Sequence, residues 1–89
     1  MVDARQLVGT NVRRLRLAAG LSQEDVAARM GVDRAYISSL EAGRRNPTVV
    51  TVWHAAEALG VSIKALFEED EDARPPLTER KRAPRLKPK

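Results

Sequence analysis

The chain has 89 residues, 43% of them hydrophobic but only 3% aromatic, with a net charge of +4 and an isoelectric point near 10.1. One small domain fits that length, and a core so poor in aromatics has to be built from Leu, Val, Ile and Ala, which pack well between helices. The absence of Cys excludes disulfides, thiolate metal sites and a Cys nucleophile.

Apolar runs are only a few residues long, far below the ~20 needed to span a bilayer. The start, "MVDARQLVG", lacks the cationic-then-apolar order of a signal peptide. A cytoplasmic protein without membrane contact is therefore expected. The basic balance favours an anionic partner such as nucleic acid. Residues 1–67 carry a net +3, "EEDED" at 68–72 carries −5, and residues 73–89 carry +6. The chain divides accordingly into a periodic domain at 1–67 and a charged, Pro-containing tail at 68–89. The tail is expected to be disordered, because it has too little apolar surface to offset its ordering entropy.

Five helices are predicted in the domain. Helix 1 runs from about Asp3 to Ala19, with Leu7, Val8, Val12, Leu15 and Ala19 at three- and four-residue spacing, and Gly20 ends it. Helix 2 begins at Ser22, an N-cap residue, with Glu24 and Asp25 in the first turn, where the helix dipole favours acids. Val26, Ala27 and Met30 form its stripe and Gly31 stops it. Helix 3 lies in "DRAYISSLEAG" at 33–43, capped by Asp33, with only Ile37 and Leu40 clearly apolar. Its other face carries Arg34, Ala35, Tyr36, Ser38 and Ser39. After the loop "RRNP", Thr48 caps helix 4, whose inward residues are Val49, Val52, Ala56 and Leu59, and Gly60 stops it. Ser62 caps a short helix 5, "IKALF".

The three-residue link Met30-Gly31-Val32 turns on a Gly and forces helices 2 and 3 to cross steeply. Ala27 is small enough to let them approach. This is the sequence pattern of a helix-turn-helix, whose second helix can enter the DNA major groove. The predicted fold is all-α: a compact five-helix bundle containing that motif.

With Ser22-Gln23, Ala27, Gly31, Ile37-Ser38, Leu40-Glu41, Gly43, Asn46-Pro47-Thr48 and Leu59-Gly60-Val61 in this order and spacing, the chain resembles the Cro/C1-type (XRE family) DNA-binding domains of lambda-repressor-like fold. The resemblance covers residues from about 7 to 67. "DRAYIS" and "GRRNPT" are also similar to single-domain regulators, including controller proteins of restriction–modification operons.

The resemblance implies the following roles. Arg34, Ala35, Ser38 and Ser39 would contact bases, and an Arg can fork onto both acceptors of a guanine. Ser22, Gln23, Tyr36, Arg44 and Arg45 would contact phosphates, although Tyr36 could equally pack at the helix 2–3 corner. Arg16 and Glu41 would form an ion pair tying helix 1 to helix 3. Ala35 can touch a thymine methyl but donates no hydrogen bond, so direct readout rests largely on Arg34. Trp53 is either a core residue or, with Leu66 and Phe67, part of a dimer interface.

His54 has no partner at metal or triad spacing and is read as a surface residue. No catalytic constellation, metal site, cofactor loop or second domain for a small ligand is legible. The expected function is sequence-specific binding of double-stranded DNA by a transcriptional regulator. A repressor-like homodimer on a palindromic operator is the expected form. Two other readings stay open: an antitoxin-type protein whose tail binds a protein partner, and a non-specific nucleic-acid-binding module driven by the basic tail.

Overall fold

Asp3, Ser22, Asp33 and Thr48 each turn a side-chain oxygen onto a backbone N–H in the next turn, and an α-helix begins after each of them. The computed structural model describes residues 3–69. It contains α1 (Ala4–Ala18), α2 (Gln23–Met30), α3 (Arg34–Glu41) and α4 (Val49–Leu59), followed by a short 3-10 helix at Ile63–Phe67. No strand occurs among the described residues. The start of α2 is doubly closed: the Ser22 hydroxyl accepts from Asp25 N–H while the Asp25 carboxylate accepts from Ser22 N–H, both at 2.9 Å. Gly31 and Gly60, at φ 73° and 72°, take the left-handed conformation that ends α2 and α4.

The fifth element differs from the α-helix expected there. It is a 3-10 segment of five residues, and the Ser62 side chain makes no capping bond. So short a segment gains little from an α-helical ladder, and the tighter 3-10 turn suffices to deliver Leu66 to the core. The acidic-then-basic tail lies outside the described residues apart from Glu68 and Glu69.

The core is aliphatic. Val8 and Val12 from α1, Val26 and Ala27 from α2, Ile37 and Leu40 from α3, Val52, Ala55, Ala56 and Leu59 from α4, and Leu66 form one buried cluster. Tyr36 and Met30 pack on its rim. Three residues outside the expected α1 stripe are also buried: Gly9, Asn11 and Arg16, whereas Ala19 is exposed. The reason is non-local. Gly9 lies against the last turn of α3, where a Cβ would collide with the Leu40 carbonyl oxygen and come within 2.8 Å of the Glu41 carbonyl oxygen. Asn11 meets the end of the domain: its Nδ2 donates to the carbonyls of Leu66 and Glu68, each at 2.9 Å, and its Oδ1 accepts from Arg14 at 3.0 Å.

Gly9 sets a substitution rule opposite to the ordinary one. In an open helix, Ala is more favourable than Gly by roughly 1 kcal/mol. Here the obstacle is backbone, which yields only by moving α1 away from α3, so Gly9→Ala should cost about 1–3 kcal/mol as overpacking does. Urea unfolding measures this; a raised midpoint would mean that the α1–α3 contact has slack.

The N-cap of α1 has a pH signature. Hydrogen bonds from the Arg5 side chain and backbone lower the Asp3 pKa from 3.8 to about 2. A lowered folded-state pKa contributes stability above the unfolded value and loses it as pH falls through the folded one. The melting-temperature gap between wild type and Asp3→Ala should therefore hold from pH 7 to about 4 and close as pH approaches 2. A gap independent of pH would exclude the charged cap.

Candidate nucleic-acid interface

The corner between α2 and α3 is closed by backbone bonds. Val32 N–H donates to the Ala27 carbonyl at 3.0 Å and Gly31 N–H to the Ala28 carbonyl at 3.3 Å. With Ile37 and Leu40 turned into the core, α3 leaves Arg34 and Ala35 exposed, and Tyr36, Ser38 and Ser39 half-buried. At about 1.5 Å per residue this eight-residue helix is ~12 Å long.

The far end of α3 is held by a buried ion pair. Arg16 Nε and Nη2 reach the two carboxylate oxygens of Glu41 at 2.6 and 3.1 Å, and Nη1 donates to the Leu21 carbonyl at 2.9 Å. Arg16 is only 7% exposed. The Glu41 hydrogen bonds raise its pKa further, against the opposing effect of burial. An acid in the last turn of a helix opposes the dipole, and the guanidinium compensates for it.

Gln23, expected to contact phosphate, is engaged within the protein. It is half-buried and uses both ends of its amide within the protein. Nε2 donates to Glu41 Oε1 at 3.1 Å, and Oε1 accepts from Arg34 Nη1 at 2.9 Å. Arg16, Glu41, Gln23 and Arg34 thus form one continuous chain of contacts. The Ser22 hydroxyl, expected on phosphate, is the cap of α2.

At the other end of the face, Arg45 lies along α3 rather than reaching out from the loop. Its Nε donates to Ser39 Oγ at 2.9 Å, and its guanidinium carbon sits 4.8 Å from the centre of the Tyr36 ring, within cation–π range. Ser39 in turn donates to the Tyr36 carbonyl at 2.9 Å. Arg44 is exposed, and its side chain makes no hydrogen bond or ion pair among the described residues. Ala35 and Ser38 also lie on the outer side without a side-chain hydrogen bond among the described residues.

The residues considered for a dimer interface do not form one class. Leu66 is fully buried in the protomer's own core, so it has no surface to offer a second copy. Trp53 is 51% exposed and Phe67 48%, and Val49, expected inward, is 78% exposed beside Val50 at 61%. Val49 is the first residue of α4, where the helix has not yet reached the core. His54 is exposed. Among the described residues no group of His, Asp or Glu is arranged to hold a metal, and no helix is long and apolar enough to cross a membrane.

The short α2–α3 corner within a small helical domain defines a helix-turn-helix. A helix-turn-helix family model matches residues 12–66, most of the described chain, and the chain belongs to this family. It is 59% identical over 61 residues to an HTH-type transcriptional regulator, y4dJ, of Sinorhizobium fredii, covering 68% of this chain and 79% of that one. It is 36% identical over 72 residues to the control protein C.MunI of a Mycoplasma species, covering 80% and 97%. Among solved structures, the restriction–modification controller protein C.AhdI of Aeromonas hydrophila superposes with a TM-score of 0.68 at 40% identity, over 71% of this chain and 96% of that one.

Removing one partner of a buried pair strands the other, at a cost of about 3–5 kcal/mol. Arg16→Ala should lose that much, read by chemical denaturation, while Arg16→Met with Glu41→Leu should recover most of it. If the double variant were no more stable than Arg16→Ala, desolvation would not govern this pair.

Proposed function

We propose that the protein is a sequence-specific, double-stranded-DNA-binding transcriptional regulator, with α3 as the helix that enters the major groove. The observation that carries this is the charge on α3's outer side. Arg34, Arg44 and Arg45 have no carboxylate partner among the described residues, whereas Arg5, Arg14 and Arg16 all do. Cations left unneutralised around one short exposed helix favour a polyanion. The small side chains of Ala35, Ser38 and Ser39 permit a close approach to base edges.

In this reading Arg34 forks onto a guanine, and Ala35 and Ser38 line the groove. Ser39 and Tyr36 act with Arg45 at the other end, and Arg44 meets phosphate. The controller proteins among the relatives support the regulatory role. A single short helix reads too few base pairs to specify a genomic address, so we assign a homodimer on two half-sites. The exposed Val49, Val50, Trp53 and Phe67 are the surface available for it. We assign the DNA-binding domain to residues 1–67, acting in the cytoplasm without a cofactor or catalysis.

Arg34→Ala should weaken binding to a selected operator by ~1–3 kcal/mol and relax preference at one base position, leaving random duplex almost unaffected. Arg44→Ala should weaken both and lower the salt slope by about 1. Titrations of both duplexes at several salt concentrations check this; equal losses on the two duplexes for Arg34→Ala would remove its base-reading role.

A further inference from the structure

We propose that Arg13 is a further ligand of the DNA backbone, so that contact with phosphate extends beyond the helix-turn-helix onto the middle of α1. The inference rests on the reading of α3 as the helix that enters the groove, and it adds a second element in contact with the duplex.

Arg13 differs from the other arginines of α1. Arg5, Arg14 and Arg16 each have a carboxylate partner. Arg13 is exposed, and its side chain makes no hydrogen bond, ion pair or ring contact among the described residues. Nothing local calls for a cation there. The positions three and four residues away, where an acid would pair with it along the helix, hold Gly9, Thr10, Arg16 and Leu17. It lies outside the last turn of α1, where the dipole favours positive charge. Glu41, the acid of α3, has both carboxylate oxygens taken by Arg16.

The position on α1 decides where that charge falls. Residues three, four and seven apart share a helix face, and Gln6, Gly9, Arg13 and Arg16 are spaced in this way. The other three all meet α3 or the loop after it. A Cβ on Gly43 would lie 2.8 Å from Gln6 Cγ, Gly9 abuts the carbonyl oxygens of Leu40 and Glu41, and Arg16 is bonded to Glu41. Arg13 therefore stands along the margin of α3. Gln6 marks where the loop passes α1, and Arg44 is the residue after Gly43. Seven residues separate Gln6 from Arg13, ~10 Å of helix axis, so Arg13 and Arg44 meet different phosphates. All five N–H groups of the Arg13 guanidinium are open, and phosphate oxygens are its natural acceptors.

The test uses the full chain and a charge-matched control. Arg13→Gln and Lys64→Gln each remove one positive charge, but Lys64 is exposed on the 3-10 segment, which packs against α1 and α4. Wild type selects bound duplexes from a random pool. All variants are then titrated on the selected and on random duplex at several salt concentrations. One phosphate contact contributes ~0.9 to the salt slope, which is about eightfold in affinity at roughly 0.1 M salt. We expect Arg13→Gln to show that loss on both duplexes with the selected consensus unchanged, and Arg13→Lys to keep most of the slope. Lys64→Gln should match wild type. Phosphate-ethylation interference should lose one position in Arg13→Gln, different from the position lost in Arg44→Ala. A wild-type slope in Arg13→Gln would leave Arg13 a solvated cation, and an equal loss in Lys64→Gln would make the effect one of net charge. A changed consensus would make Arg13 a base contact. Each of these overturns the proposal while leaving the reading of α3 intact. If wild type selects no consensus, that reading fails and takes the proposal with it.

Discussion

The approach of α1 to the last turn of α3 governs the rest of the domain. Two features make it. Gly9 removes the side chain that would hold the helices apart, and the Arg16–Glu41 pair locks them at that separation. A pair this buried adds little net stability, because desolvating both charges offsets most of their attraction. Its contribution is angular. At its other end α3 is fixed by the closed corner from α2, so a helix of eight residues is held at both ends while its outer side stays open.

That arrangement engages the arginines of α1 and those around α3 differently. Three of the four on α1 are engaged by carboxylates: Arg5 closes onto Asp3, Arg14 lies near Glu68, and Arg16 is buried with Glu41. Two of the three around α3 are held by neutral groups, Arg34 by an amide and Arg45 by a hydroxyl and an aromatic ring. Neutral partners restrain a guanidinium without neutralising it. The positive charge of Arg34 and Arg45 is therefore left standing beside α3.

Most of the fold was legible in local chemistry. Caps at Asp3, Ser22, Asp33 and Thr48, and stops at Gly31 and Gly60, depend on neighbours within one turn; four helices begin at those caps and two end at those stops. What was not legible depends on contacts far along the chain. A Gly within helix 1 costs helical stability, and only the fold identifies the close approach to Leu40 and Glu41 that it permits. Asn11 interrupts an apolar stripe between Val8 and Val12, yet its acceptors lie more than fifty residues away. The residues of the outer helix-3 face are legible from the spacing of Ile37 and Leu40, but the bonds among them are not. Sequence shows which groups of Gln23 and Arg45 can bond DNA and not which groups of the protein they already bond. Leu66 was placed at an interface because a short terminal segment gives no sign of which way each apolar residue turns.

Asn11 also draws a boundary that secondary structure alone would misplace. The last helical residue is Phe67, yet one of the two carbonyls that satisfy the Asn11 amide belongs to Glu68. A buried amide left with half its partners is costly. Any shortened version of this domain, whether made for study or for fusion to another protein, has to retain Glu68 beyond its last turn of helix, and a linker is safely joined only after that residue.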